Sequence, residues 1–175
     1  MNNREEEDKL ERKPYFISEQ TGKLLEKLIL LTNSKSILEI GAGDGYSTLF
    51  LAKAAKKNNG SVITIEPEQE SSARASNNMK KARLSKIVEI KTGDSLNILN
   101  KLNKKFDFVF IDGKKRDYLK YLKAIINKLN RDCMVVAHNV ISHKEKVQDY
   151  LDFVKKKYSS YTLDFDKGIE ISILK

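Results

Sequence analysis

The run Ser36-Ile-Leu-Glu-Ile-Gly-Ala-Gly-Asp-Gly-Tyr-Ser-Thr48 constrains this chain more than any other stretch. Ile37, Leu38 and Ile40 form a short, β-branched, apolar segment suited to a strand covered on both faces, and the segment stops at Gly41. Gly41, Gly43 and Gly45 allow positive φ and close backbone approach, while a helix beginning near Tyr46 offers its first N–H groups to a polar or anionic ligand. The glycines are spaced G-x-G-x-G, with Glu39 two positions ahead of the first, which departs from the G-x-G-x-x-G of dinucleotide sites. A small molecule other than a dinucleotide is expected at this turn.

The rest of the chain alternates helical and strand patterns around it. Apolar residues at 24, 25, 28, 29 and 31 predict an amphipathic helix over 17–31 that packs on the sheet, with Ser18 as its cap. Further helices are predicted over 46–57, 67–84 (opened by Pro67), 96–102, 117–129 and 142–157. Strands are predicted over 37–40, 61–66, 87–90, 106–111, 133–137, 161–165 and 169–173. Such alternation implies right-handed crossovers and an α/β, doubly wound, mainly parallel sheet with helices on both faces. The short connection Asp166-Lys-Gly168 makes the last two strands antiparallel. Ligands of such sheets bind beyond the carboxyl ends of the strands, and Glu66, Asp94 and Asp112 all fall there. Glu66 follows the glycine turn by about twenty residues, where a carboxylate accepts the hydroxyl protons of a ribose.

Length and apolar content, 175 residues and 40%, suit one domain over 17–175 with a core of its own. It is preceded by an arm over 1–16, charged on nearly every residue and expected to be frayed or disordered. That arm does not read as a signal peptide, and no apolar run is long enough to span a bilayer, so a soluble, cytoplasmic protein with no membrane partner is expected. The lone Cys133 excludes an internal disulfide and sits in a strand pattern as core filler. Lys and Arg exceed Asp and Glu, 33 to 24, for a net charge of +9 that permits RNA as a partner. Most of the basic runs fall where helices should end, as cations offsetting helix dipoles would, and none is interleaved with aromatic residues.

From about Ile17 onward the chain resembles the catechol and caffeoyl-CoA O-methyltransferase group of class I S-adenosylmethionine-dependent methyltransferases. The likeness is carried by Ser18-Glu-Gln-Thr-Gly22, by Leu38-Glu-Ile-Gly-Ala-Gly-Asp-Gly-Tyr-Ser47, by Ile65-Glu66, by Gly93-Asp94 and by Phe108-Val-Phe-Ile-Asp-Gly-Lys-Lys115. The resemblance implies a seven-stranded, Rossmann-like sheet of order 3-2-1-4-5-7-6, a hydroxyl of a small, catechol-like molecule as acceptor, and S-adenosylmethionine as cofactor. It assigns Gly41, Gly43 and Ser47 to the methionine portion, Glu66 to the ribose and Asp94 with Ser95 to the adenine edge. Glu39, Gly93 and Asp112 complete the implied cofactor site. It further implies a divalent cation held by Asp112, His138 and Asn139, with Lys115 as catalytic base beside Asp112. His138 stands where an aspartate is expected, so a hard cation such as magnesium loses an oxygen ligand and imidazole-binding ions gain one. An RNA hydroxyl as acceptor and a cofactor-binding protein without catalysis are the alternative readings. The oligomeric state is left open, with a homodimer permitted.

Overall fold

Residues 17–174 are described by the structure, a computed structural model, and the arm expected over 1–16 lies outside them. In chain order the elements are α1 (Glu19–Leu31), β1 (Ser36–Ile40), α2 (Tyr46–Lys57), β2 (Ser61–Glu66), α3 (Gln69–Lys81), β3 (Val88–Thr92), α4 (Ser95–Lys101) and β4 (Phe106–Ile111). There follow α5 (Tyr118–Ile125), flanked by 3-10 turns at Lys115–Asp117 and Ile126–Lys128, then β5 (Leu129–His138), α6 (Lys144–Lys157), β6 (Ser159–Leu163) and β7 (Ile169–Leu174). The strands form one sheet in the order β3-β2-β1-β4-β5-β7-β6, the order that the resemblance implies, with β7 antiparallel to both neighbours and the rest parallel.

Both sheet faces are covered, which is why the central strands are apolar on both sides. Leu38, Ile40, Val109 and Ile111 pack toward α4, α5 and α6, whereas Ile37, Phe108, Phe110 and Val136 meet α1 and α2. Cys133 is buried in the first of these cores, and burial pushes its thiol up to about 12, which makes it inert filler.

Several expected boundaries shift. Pro67 precedes α3 rather than opening it, and that helix stops at Lys81 because Arg83 adopts φ 57° and turns the chain toward β3. The helix expected to reach residue 129 ends at Ile125 and tightens into a 3-10 turn, and β5 begins at Leu129 with an irregular register against β4 and Asp132 at φ 59°. Likewise α6 starts two residues later than expected, and β6 two residues earlier, which leaves residues 164–168 as the connecting loop. Leu31, expected on the sheet-facing side of α1, is 83% exposed at its last turn, while Leu25 and Ile29 are fully buried. No helix among the described residues is long and apolar enough to cross a membrane.

Candidate active site

At the carboxyl edge of β1, β2 and β4 a cavity of about 290 Å³ opens, lined by Ile17, the 41–43 turn, Tyr46, Ser47, Glu66, Pro67 and the 112–114 loop. Its floor is the glycine turn, held to the sheet by Gly41 N–H and Ala42 N–H, which donate to Ile65 O at 2.9 and 3.3 Å. A Cβ on Gly41 would lie 2.7 Å from the Asp112 carbonyl oxygen, so this glycine lets β1 and the loop after β4 approach each other. Gly43 serves differently. At φ 53° it has nothing within 4 Å of where a Cβ would be, so its missing side chain leaves open space in the cavity wall.

Glu66 is 6% exposed, and its carboxylate joins the first two loops by accepting from Gly43 N–H at 2.7 Å and Glu68 N–H at 3.0 Å. Burial raises its pKa against these hydrogen bonds. A carboxylate has about four acceptor positions, so Glu66 keeps lone pairs for two ligand hydroxyls.

Glu39 lies beneath the turn and does not line the cavity. Its carboxylate, fully buried, accepts from Ser47 Oγ at 2.5 Å, Thr48 Oγ1 at 2.5 Å and Thr64 Oγ1 at 2.7 Å, so it fixes the start of α2 to the sheet. Burial pushes its pKa up to about 7 in spite of those three donors. Gly93, Asp94 and Ser95 also stand outside the cavity lining. Asp94 caps α4 by accepting from Asn97 N–H at 2.8 Å, Gly93 N–H donates to Glu66 O at 3.1 Å, and Ser95 pairs with the Tyr121 phenol.

Asp112 follows β4 directly and lines the cavity, with Lys115 Nζ donating to its Oδ1 at 2.7 Å. The Lys115 side chain lies across the Tyr118 ring, 5.4 Å from its centroid, and Lys114 rather than Lys115 contributes to the cavity lining. The other carboxylate oxygen, Oδ2, meets His138 Nδ1 at 3.2 Å, and His138 Nε2 donates to Asp166 O at 2.7 Å. Asp166 is a participant that sequence reading missed, because its place in a tight connection already accounted for it. Its carboxylate accepts from Ser18 N–H at 2.8 Å and Thr21 Oγ1 at 2.5 Å, tying the β6–β7 loop to the start of α1. Burial acts to raise its pKa, but those donors and the His138 charge hold it below the usual range.

The donors expected for a divalent cation are thus brought together, but not as a cation site. Both oxygens of Asp112 and both ring nitrogens of His138 have protein partners, and no group of three His, Cys, Asp or Glu among the described residues is arranged to hold a metal ion. The residues present therefore do not fit the cation that the resemblance implies.

A family model described as O-methyltransferase matches residues 2–175. The chain belongs to this family. Curated relatives include a catechol O-methyltransferase of Niastella koreensis, 37% identical over 129 residues that make up 71% of this chain and 58% of that protein. Another is caffeoyl-CoA O-methyltransferase 2 of Petunia hybrida, 30% identical over 154 residues, 85% of this chain and 63% of that protein. The chain spans less than two thirds of the length of these relatives. Among solved structures, the O-methyltransferase TomG of Streptomyces achromogenes, determined in complex with SAM, superposes with a TM-score of 0.81 at 25% identity, over 91% of this chain and 82% of that one. An O-methyltransferase of Bacillus cereus, determined with SAH, shares the fold with a TM-score of 0.83 at 24% identity, over 93% and 84% of the two chains.

Proposed function

We propose that this chain binds S-adenosylmethionine in the cavity above the glycine turn and transfers its methyl group to a hydroxyl of a small acceptor at the Asp112–Lys115 side. The observation that carries this reading is the meeting of three parts at one mouth: the open wall at Gly43, the buried Glu66 carboxylate with spare lone pairs, and the Asp112–Lys115 ion pair. Glu66 accepts the two ribose hydroxyls. Ser47, whose proton is committed to Glu39, keeps lone pairs for the cofactor's ammonium. Glu39 acts only through Ser47 and Thr48, as a positioning residue. Asp94 and Ser95 border the adenine side by way of the α4 start.

The transfer breaks the methyl–sulfur bond of a sulfonium and forms a methyl–oxygen bond, leaving a neutral thioether and an ether. The acceptor hydroxyl first releases its proton to solvent at the open mouth, and the oxyanion and sulfonium then annihilate each other's charge, which a water-poor cavity favours. As the partner of a carboxylate at 2.7 Å, Lys115 is an ammonium in the resting protein, and in that form it stabilises the acceptor oxyanion. A base role for Lys115 requires the pair to open.

RNA as acceptor draws little support from charge, because most of the basic clusters gather at the helix C-termini, and of the cationic side chains only Lys114 lines the cavity. Two substitutions test the proposal. Glu66→Ala should weaken SAH binding by about 1.5–3 kcal/mol, the worth of charge-assisted hydrogen bonds, and calorimetry showing unchanged affinity would remove Glu66 from the site. Lys115→Met should lower turnover about a hundredfold with cofactor affinity intact, while Lys115→Arg, which keeps the charge, should retain activity within about tenfold. A loss as large in Lys115→Arg would favour the base.

A further inference from the structure

We infer that His138 closes the cation position of this site, so that the protein holds no divalent metal between Asp112 and Asn139 and acts on a single acceptor hydroxyl rather than on a metal-chelated pair. The inference rests on the proposed methyltransferase reading for its chemistry, but its structural part stands on the bonds around the imidazole.

The ring is 1% exposed and bound at both ends. Asp166 O is a carbonyl and can only accept, so Nε2 carries a proton toward it over 2.7 Å. On the other side Nδ1 meets Asp112 Oδ2 at 3.2 Å, and one proton lies between the two. Neither nitrogen has a lone pair directed at an open position. Each oxygen of Asp112 already faces an N–H donor, Lys115 on Oδ1 and His138 on Oδ2, so the lone pairs it retains lie beside two protons.

The surroundings hold the bridge in place. Tyr118 Oη donates to the His138 carbonyl at 3.0 Å, so the backbone at the end of β5 is pinned. Asp166 cannot follow the ring outward without giving up Ser18 N–H and Thr21 Oγ1, which anchor it to the start of α1. Asn139 takes φ 64°, and its carbonyl accepts from His143 N–H at 3.0 Å, so the backbone leaves β5 in a turn directed to α6.

A hard divalent cation needs several oxygen ligands and some negative charge to offset dehydration. To enter here it would have to share one carboxylate with Lys115 and the imidazole or displace them, which in either case sets a double positive charge against hydrogen-bond donors. Hydrogen-bond donors of the protein thus stand where the cation would, and the acceptor oxyanion meets the Lys115 ammonium alone. Nothing in that arrangement favours two adjacent oxygens on the acceptor. A molecule with one acidic hydroxyl, a phenol, satisfies it.

The test is a calorimetric titration of the metal-stripped full chain, saturated with SAH, using magnesium, manganese, cobalt and zinc chlorides in turn. Wild type should show no site tighter than about 1 mM for any of them, and His138→Asp should gain magnesium affinity by about tenfold or more through the added oxygen ligand. If His138→Asp does not fold, His138→Asn supplies the oxygen without a charge and should gain in the same direction. A wild-type site of micromolar affinity that Asp112→Asn removes would overturn the inference. So would a wild type and a folded His138 variant that are equally blind to magnesium, since something other than His138 would then close the position. SAH binding, measured first on each sample, reports separately on the cofactor reading.

Discussion

At the scale of single residues, the carboxylates of this site do unlike work because they meet unlike surroundings. Glu66 faces a ligand cavity with two backbone donors, Asp112 is neutralised by Lys115, and Glu39 is sealed under the turn with hydroxyls alone. Glu39 is fully buried and its hydroxyl donors do not offset that burial, which is why its pKa reaches about 7. The sign of the consequence follows from linkage. A carboxyl whose folded pKa lies above its unfolded one favours the protonated folded state, so its contribution is full below about pH 4.5 and is lost as pH rises through 7. The loss is roughly 3 kcal/mol in order of magnitude for a shift of this size. The substitution Glu39→Gln removes the ionisable group and should abolish that loss. Urea unfolding of wild type and the Glu39→Gln variant at pH 5 and pH 8 should move the difference between them in favour of the variant by up to about that amount as pH rises. An unchanged difference would mean that Glu39 titrates normally under the turn.

Among the elements, β1, the glycine turn and α2 were legible because one local pattern specifies all three: apolar strand, glycines, helix start. The Ser18 cap was legible too, its hydroxyl accepting from Thr21 N–H, and the helix–strand alternation carried the mainly parallel sheet, whereas the strand order came from the family resemblance. Less legible were the ends that depend on left-handed residues other than glycine. Arg83 and Asp132 both turn the chain at positive φ without a sequence signal, and so the end of α3 and the start of β5 were displaced. The Asp112–His138–Asp166 hydrogen bonds escaped for another reason, although the resemblance had placed Asp112 and His138 at one site. Their partners come from the loop after β4, β5 and the β6–β7 loop, and nothing local in the sequence reports a contact between elements so far apart. The glycine turn offers a contrast that measurement can resolve. At Gly41, φ is 99° and a Cβ would strike the Asp112 backbone, so Gly41→Ala should cost about 1–3 kcal/mol of stability and disturb the cavity with it. At Gly43 the added methyl meets nothing in the protein, so Gly43→Ala should cost about 1 kcal/mol from φ alone while losing SAH affinity by filling the cavity. Thermal unfolding and SAH calorimetry on the two variants should therefore show the larger stability loss for Gly41→Ala, and for Gly43→Ala a loss of SAH affinity out of proportion to its small loss of stability.

Over the whole molecule the charge is polarised along the strands. Helices return antiparallel to the strands they connect, so their C-termini gather at the amino edge of the sheet and their N-termini at the carboxyl edge, beside the cavity. The last turns carry Lys56 and Lys57, Lys80 and Lys81, Lys101, and the run 155–157, and the connections leading into β1 to β4 contain no Asp or Glu. The carboxyl edge holds Glu66, Asp94, Asp112 and Asp166, together with the basic run Lys114-Lys115-Arg116 after β4. An excess of positive charge at one edge is what helix dipoles favour, and the acidic groups that the proposed chemistry uses stand at the other. Lys80 and Lys81 are exposed at the end of α3, a helix of 13 residues and thus about 20 Å long, whose other end lies near Glu66. That span is about two Debye lengths at 0.1 M salt, so the far edge should not be felt in the cavity. Replacing Lys80 and Lys81 together by Gln should lower stability by about 0.6–2 kcal/mol at low ionic strength through the lost dipole interaction, and the deficit should shrink in 0.5 M salt. SAH affinity should change by less than about twofold at either salt concentration. Urea unfolding with parallel calorimetry checks both statements; a tenfold loss of SAH affinity in the double variant would show that the basic edge belongs to the working site after all.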